Sequence, residues 1–326
     1  MSLSVKTLRD QLNAFLLLQR TYKNWIEIAT DYITRKPLNR VVLKAGNSIP
    51  LARKTSSLSQ ALRHYHRWYD PSIYNLIGLA KLLSRGWKIR HIDNDYLLLS
   101  PEPGTVLKCR LNQGTDISLV AEIFVRQVYG SDFNQKVVLD VGAYNGDSAI
   151  YFARRGARLV IGLEPDPRSL ELAKENIRLN NLEDRVKLLN VALSTRTGES
   201  KLGVNAATPN ITQIAEPTST GDDTLEVQTV TVEEIMKRFD LQNIDFLKMN
   251  CEGCEYGIIR SLPPDTFESI SEITLEFHNG PLDIPKILSK HGYTTSMIGH
   301  SFGYITAKRI SNSTEPRPPS EIYQAD

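Results

Sequence analysis

Cysteine is scarce in this 326-residue chain: Cys109, Cys251 and Cys254 are all it has. Three cysteines cannot staple a disulfide scaffold, and they suit a reducing compartment. An excess of one charge is missing too. Lys and Arg number 39 against 37 Asp and Glu, a formal net charge of +2, so the electrostatic argument for general binding to nucleic acid or acidic surfaces is absent. No apolar run approaches the roughly 20 residues that a membrane-spanning helix needs. The apolar cluster near the N-terminus, "AFLLL" at 14–18, is too short for a signal peptide and lies between Arg9 and Arg20. No internal repeat occurs. A soluble, cytoplasmic protein is expected. What remains is an ordinary globular composition, 41% hydrophobic and 23% charged, long enough for one large domain or two modest ones.

In the first part, Leu8, Leu12, Phe15, Tyr22, Trp25, Ala29 and Tyr32 recur at mostly three- and four-residue steps. That spacing predicts helix over 5–33 with one apolar stripe, which could pair with a second copy of the chain. "RVVLKAGNSIPLA" (40–52) reads as two short strands around a Gly46–Asn47 turn. Ser57–Arg67 and Ile73–Arg85 read as helices, with Gly86 as a stop signal. Residues 91–111 read as strands broken by turns, and a further helix is expected around Ile117–Tyr129.

From Val137 onward, strands and helices alternate. "VVLDVG", "LVIGLEP", "VKLLNVALS", "IDFLKMN" and "EITLEFH" read as strands, with helices at 147–155, 167–180, 231–239, 254–261 and 283–291. "SKLGV" and "LEVQTV" flank a polar loop at 205–223, and "YTTSMI" and "FGYITAKRI" close the series. This alternation predicts an α/β fold: a Rossmann-like, doubly wound, mostly parallel sheet, preceded by a helical region and a small β element. The expected divisions are 1–90, a helical substrate or dimer element; 91–310, the α/β domain with its core at 130–310; and 311–326, a flexible tail. The loop at 205–223 is long enough to serve as a lid.

Within Lys136–Pro167 the spacing Asp140-x-Gly142-x-x-x-Gly146 links strand to helix. Ligands of open α/β sheets sit at such strand ends, where glycine lets the backbone approach and the helix N-terminus favours negative charge. The dinucleotide fingerprint G-x-G-x-x-G is not met. Asp140 would repel a pyrophosphate and favour a sulfonium or amino group. Twenty-four residues on, Glu164 ends the next strand, placed to accept both hydroxyls of a ribose. An adenosine-containing ligand fits both acids.

These features resemble motif I and the following acid of class I S-adenosylmethionine-dependent methyltransferases. "IDFLKMNCEGCEYGIIRSL" (244–262) resembles the K-x-D-x-E-G-x-E segment of the FkbM family, "LEFH" (275–278) its E-x-H strand end, and "NLEDRVKLLNVALSTRTGE" (181–199) its cofactor-facing turn. The resemblance covers about 130–310. It implies an O-methyltransferase acting on a hydroxyl of a small molecule or glycan. Asp140, Gly142, Asn145 and Gly146 would hold the methionine part of S-adenosylmethionine, and Glu164 and Pro165 the ribose. Asn190 and Ala192 would lie near adenine, with Asn250 also on the cofactor. Lys248, Glu252, Glu255, Glu276 and His278 would face the reacting end. His278 is the residue type that takes a proton near neutral pH, and Lys248 the type that steadies an oxyanion. The acids could alternatively hold a divalent cation, although no metal ligand set is assigned. Asn250 stands where the family has Asp, which puts activity and metal use in question.

Alternatives remain. An RNA methyltransferase could use the N-terminal region as its binding arm, and a non-catalytic module could keep the cofactor fold alone. A nicotinamide dehydrogenase is disfavoured by the missing glycines. Cys251-x-x-Cys254 has the spacing of a redox or zinc pair but lies in a segment already explained, so two incidental thiols are expected. His64 and His66, with Tyr65, Trp68 and Tyr69, read as packing or surface residues, and Arg53, Lys54, Arg63 and Arg67 as a solvated face.

Overall fold

The computed structural model describes residues 5–34, 40–44, 48–50, 71–92, 95–101, 104–111, 114–203, 213–214 and 224–310. The helix expected at 57–67, the residues around His64 and Arg53, most of the 205–223 loop and the tail at 311–326 lie outside the described residues. The helix expected over 5–33 is two, Val5–Thr21 and Trp25–Thr34. The break has a local cause: a strand competes for the backbone at 21–24. Lys23 N donates to Val42 O at 2.7 Å, Lys44 N to Thr21 O at 2.9 Å, and Val42 N to Asn24 Oδ1 at 2.9 Å. The Tyr22 ring is fully buried at the break, and its hydroxyl donates to Leu76 O at 2.8 Å. Strands β1 (Arg40–Val42) and β2 (Ser48–Pro50) pair antiparallel, as the hairpin pattern suggests.

Helix Pro71–Ser84 ends before Gly86, which takes φ +84°. It leads into an antiparallel sheet of β3 (Lys88–Ile92), β4 (Tyr96–Ser100) and β5 (Leu107–Arg110). Helix Asp116–Ala121 follows and runs on as a π-helical turn, Glu122–Arg126, stopped by Gln127 at φ +53°.

The α/β part contains β6 (Val137–Val141), β7 (Leu159–Leu163), β8 (Val186–Leu189), β9 (Ala192–Leu193), β10 (Gly198–Gly203), β11 (Gln213–Ile214), β12 (Thr224–Val230), β13 (Ile244–Met249), β14 (Ile270–Phe277), β15 (Tyr293–Gly299) and β16 (Gly303–Arg309). The main sheet has the order β15-β16-β14-β13-β6-β7-β8. It is parallel from β14 to β8, with β16 and β15 antiparallel at one edge. "VKLLNVALS" does not form one strand. It splits at Asn190–Val191, and β9 leaves the main sheet to pair with β12 in a smaller sheet ordered β11-β10-β12-β9. The helix Pro264–Glu268 was not foreseen, although its Pro-Pro start is a helix-entry signal.

Period-two alternation assigns the two faces of the main sheet. Val138, Val160 and Phe246 join one core, with Phe133, Phe152 and residues of helix Pro71–Ser84. Leu139, Val141, Ile161, Leu163, Leu247 and Met249 join the other, against helices Val232–Arg238, Cys254–Ser261 and Ile284–Lys290. The chain leaves β6 toward β7 on one side and reaches β13 on the other. That reversal of direction opens a crevice at the carboxyl ends of the strands.

Candidate active site

The turn after β6 is built by contacts that demand its sequence. Gly142 sits at φ +78°, and a Cβ there would lie 1.9 Å from the carbonyl oxygen of Asn250. The ends of β6 and β13 therefore touch backbone to backbone, and Asn250 N donates to Val141 O at 3.0 Å. On the other side, Gly142 N and Ala143 N both donate to Leu163 O at 3.0 Å. Tyr144 is left-handed at φ +48° and is tied down at both ends. Its N–H donates to Glu164 Oε2 at 2.8 Å, and its hydroxyl to Asp116 Oδ1 at 2.5 Å. Arg110 lies 4.5 Å over its ring and pairs with Asp116 at 3.0 Å. Arg110 and Asp116, ahead of the motif, thus brace the loop.

A cavity of about 700 Å³ opens at these strand ends. Of the expected residues, Gly142, Glu164, Pro165, Ala192, Lys248, Asn250, Glu252, Glu276 and His278 line it. The others lie behind the wall or beside it. Asp140 is fully buried: its carboxylate pairs with Lys248 Nζ at 2.8 Å and accepts from Ser148 Oγ at 2.6 Å. It supports the loop from beneath. Asn145 turns inward, its Oδ1 accepting from Asp147 N at 3.1 Å. Gly146 serves packing, with Ala173 3.2 Å from where its Cβ would be. Asn190 is exposed and donates to Glu164 O and Pro165 O, at 3.0 and 2.9 Å. Glu255, expected at the reacting end, is buried and caps its own loop, accepting from Cys251 N at 2.7 Å and Gly253 N at 2.8 Å.

Lys248 also departs from expectation. Its ammonium meets Asp140 and donates to Gly142 O at 2.7 Å and Val141 O at 3.2 Å. An ammonium has three hydrogens, so none is left to steady an oxyanion. The charge of Lys248 instead neutralises Asp140 and locks the turn.

The reacting end is an imidazole among carboxyl groups. His278 Nε2 is 3.4 Å from Glu252 Oε2 and 3.7 Å from Glu276 Oε1. Burial pushes the imidazole down to about 4 and the Glu252 carboxyl up to about 8, with Glu255 adding to the latter. Near neutral pH the imidazole is uncharged and the Glu252 carboxyl keeps its proton. Glu276 is held well above the usual carboxylate range, first by burial and then by Glu122 and Glu252. Asn250 Nδ2 donates to Glu276 Oε2 at 2.5 Å. Among the described residues, no group of three or more His, Cys, Asp and Glu side chains is arranged to hold a metal.

Several wall residues escaped the sequence reading. Tyr144 sits between the motif glycines and Asp147 directly follows the second, so the motif itself pointed to them. Ser301 and Phe302 carry no motif. Neither do Glu122 and Arg126, which the π-helical turn brings to the wall, as such turns often do at functional sites. The groups without partners describe a ligand. Asp147 Oδ2, Asn250 Oδ1 and His278 Nδ1 are buried without hydrogen bonds, and all three residues line the cavity. Two of those atoms only accept, so a donor-rich or cationic group suits them. Glu164 has both oxygens anchored, by Tyr144 N and by Asp166 N at 2.9 Å, and burial pushes its carboxyl up to about 7. A nucleoside diol fits that rigid acceptor.

A sheet of this order, with an acid-x-Gly-x-x-x-Gly turn after β6 and a glutamate ending β7, is the Rossmann-like fold of class I methyltransferases. Residues 140–295 match the family model of the methyltransferase FkbM domain, and over that stretch the chain carries an FkbM methyltransferase domain. It is 35% identical over 89 residues to a ribosomal protein L11 methyltransferase of Alteromonas mediterranea, covering 26% of this chain and 30% of that relative. It is 30% identical over 141 residues to the same enzyme of Herpetosiphon aurantiacus, covering 43% and 42%. The matches thus span less than half the length of these relatives. The solved structure of M. capricolum TrmK in complex with the natural cofactor product S-adenosyl-homocysteine is 13% identical. It covers 59% of this chain and 71% of that chain, with a TM-score of 0.38. No helix of the described residues is long and apolar enough to cross a membrane.

Proposed function

We propose that the protein transfers a methyl group from S-adenosylmethionine to a hydroxyl of a small molecule or glycan. The observation that carries this reading is the convergence, in one cavity, of an anchored Glu164, two donorless acceptors on Asp147 and Asn250, and a neutral His278. When bound, S-adenosylmethionine supplies an electrophilic methyl on a sulfonium. Glu164 would accept the ribose hydroxyls, Asp147 Oδ2 and Asn250 Oδ1 would accept from the amino group, and Val191 and Ala192 would flank the base. Lys248 and Asp140 hold the Gly142 turn against Asn250. His278 removes the acceptor's hydroxyl proton, a contribution of about 10²–10⁴-fold for a positioned base. Glu252 and Glu276 flank that imidazole at 3.4 and 3.7 Å.

Titration calorimetry with S-adenosylhomocysteine tests the cofactor. Micromolar binding by wild type and at least about tenfold weaker binding by Glu164→Ala are expected, since charge-assisted hydrogen bonds are lost. A folded wild type that does not bind overturns the reading. The similarity to ribosomal protein L11 methyltransferases favours a second reading, in which the acceptor is a protein side chain. Labelled methyl from S-adenosylmethionine found in protein rather than in small molecules would select it.

A further inference from the structure

Methyl transfer leaves one motif unused, the cysteine pair. Sequence reading expects two incidental thiols, but the structure joins Cys251 to Cys254 in a disulfide with Cα atoms 5.5 Å apart. Both cysteines line the cavity and both are half-buried. The free thiol, Cys109, is sealed in the core, where burial pushes it well up, so it is a poor participant in exchange. Cys254 begins helix Cys254–Ser261, whose N-terminal N–H groups favour a thiolate there.

The disulfide closes a short ring around Glu252 and Gly253. Those two residues are consecutively left-handed, at φ +58° and +115°. Gly253 adopts this readily; Glu252 does not. Two devices hold the turn: the hydrogen bonds from Cys251 N and Gly253 N to Glu255, and the sulfur bridge. The turn delivers the Glu252 carboxyl to within 3.4 Å of His278. Immediately before it, Asn250 carries both the carbonyl against Gly142 and the amide against Glu276.

We propose that Cys251 and Cys254 form a redox-active site in the wall of this cavity, interconverted by small thiols and disulfides, whose disulfide form holds Glu252 at His278. In reduction, one thiolate of a dithiol attacks a sulfur of the pair. The S–S bond breaks, and the other cysteine sulfur leaves as a thiolate. The second thiol of the reductant then displaces the mixed disulfide. The reductant departs as a cyclic disulfide, and its two electrons and two protons end on Cys251 and Cys254. Glutathione disulfide reverses this, releasing two glutathione molecules. That Glu252 and His278 form the reacting end rests on the methyl-transfer reading; the exchange chemistry does not.

The test equilibrates the full chain in glutathione buffers of graded ratio, followed by alkylation and intact-mass measurement. His278 is observed in parallel by NMR of 13C-histidine-labelled protein. The expected result is a reversible change from two protected to two alkylated cysteines, with Cys109 unchanged in native protein. The apparent pKa of His278 should move by at least about half a unit between the two forms. Cys251→Ser/Cys254→Ser should reproduce the reduced signal and ignore the buffer. Cysteines that alkylate at every ratio, or a His278 signal indifferent to oxidation, would overturn the proposal. S-adenosylhomocysteine is titrated into both forms, and binding by either supports the cofactor reading. Binding by neither form would sink the methyl-transfer reading, while mass and NMR still decide the redox site.

Discussion

Replacing Gly142 with alanine tests the contact between the two strand ends. The new Cβ would lie 1.9 Å from Asn250 O and 2.9 Å from its carbonyl carbon. Close carbon–oxygen contacts settle near 3.3 Å, so the end of β13 must retreat by about 1.4 Å. That retreat breaks the Asn250 N to Val141 O hydrogen bond and leaves its groups short of partners, at about 1–3 kcal/mol. Alanine at φ +78° costs a further ~1–2 kcal/mol, partly offset by about 0.4–1 kcal/mol from a stiffer unfolded chain. The sum is about 1–4.5 kcal/mol, centred near 3. Gly253→Ala is the control: φ is +115° but nothing lies within 4 Å of the added carbon, so only strain of about 1–2 kcal/mol applies. Urea unfolding with an unchanged slope measures both variants. Affinity for S-adenosylhomocysteine should fall at least about a hundredfold in Gly142→Ala, since Asn250 carries a cavity acceptor. Equal losses of stability in the two variants would refute the clash argument and leave only backbone strain.

Three further outcomes follow from the same geometry. Lys248→Met strands Asp140 in the core and should lose about 3–5 kcal/mol in urea unfolding, with Asp140→Asn/Lys248→Met recovering part of it. Tyr144→Phe removes the bond to Asp116 and should lose about 1.5–3 kcal/mol, with a matching rise in Kd for S-adenosylhomocysteine if the brace preorganises the loop. Glu252, raised to about 8, binds a proton in the folded state that the unfolded chain has already released above its ordinary value near 4.5. Its stabilising effect is therefore present at acid pH and is lost as pH rises from about 4.5 through 8. The stability of wild type minus that of Glu252→Gln should fall across that window, and a difference that rises or stays flat contradicts the assignment.

The alternating strands and helices after Val137 were legible in the sequence because β6, β7, β13 and β14 are apolar runs of core residues bounded by turn signals. Glu164, Asn250, Glu252, Glu276 and His278 were legible for a related reason: the strand ends that carry them are marked by glycines and acids. Which way a side chain turns was not legible. Asp140, Lys248 and Glu255 are the residue types expected in a wall, yet the first two neutralise each other under the Gly142 turn and the third caps a loop. Burial and pairing are set by neighbours more than 100 positions away, as Lys248 and Val141 show. The break at Tyr22 was hidden similarly, because apolar spacing continues across it while Val42 and Lys44 take the backbone bonds. The split of "VKLLNVALS" reflects β12, a partner 30 or more residues downstream.

Helix Pro71–Ser84 gives the expected divide near residue 90 a different meaning. Leu76, Leu79, Ala80 and Leu82 are buried in the same core as Val138 and Phe246, and Gly78 lets the helix backbone lie directly against Ser118. Cutting the chain at 90 would uncover the apolar face of helix Asp116–Ala121 on which Gly78 lies, and remove Tyr74 and Ile77 from the cavity wall. The smallest piece of this protein that can be moved, shortened or grafted without exposing that core therefore begins before Pro71, well ahead of the segment that announces itself by motif.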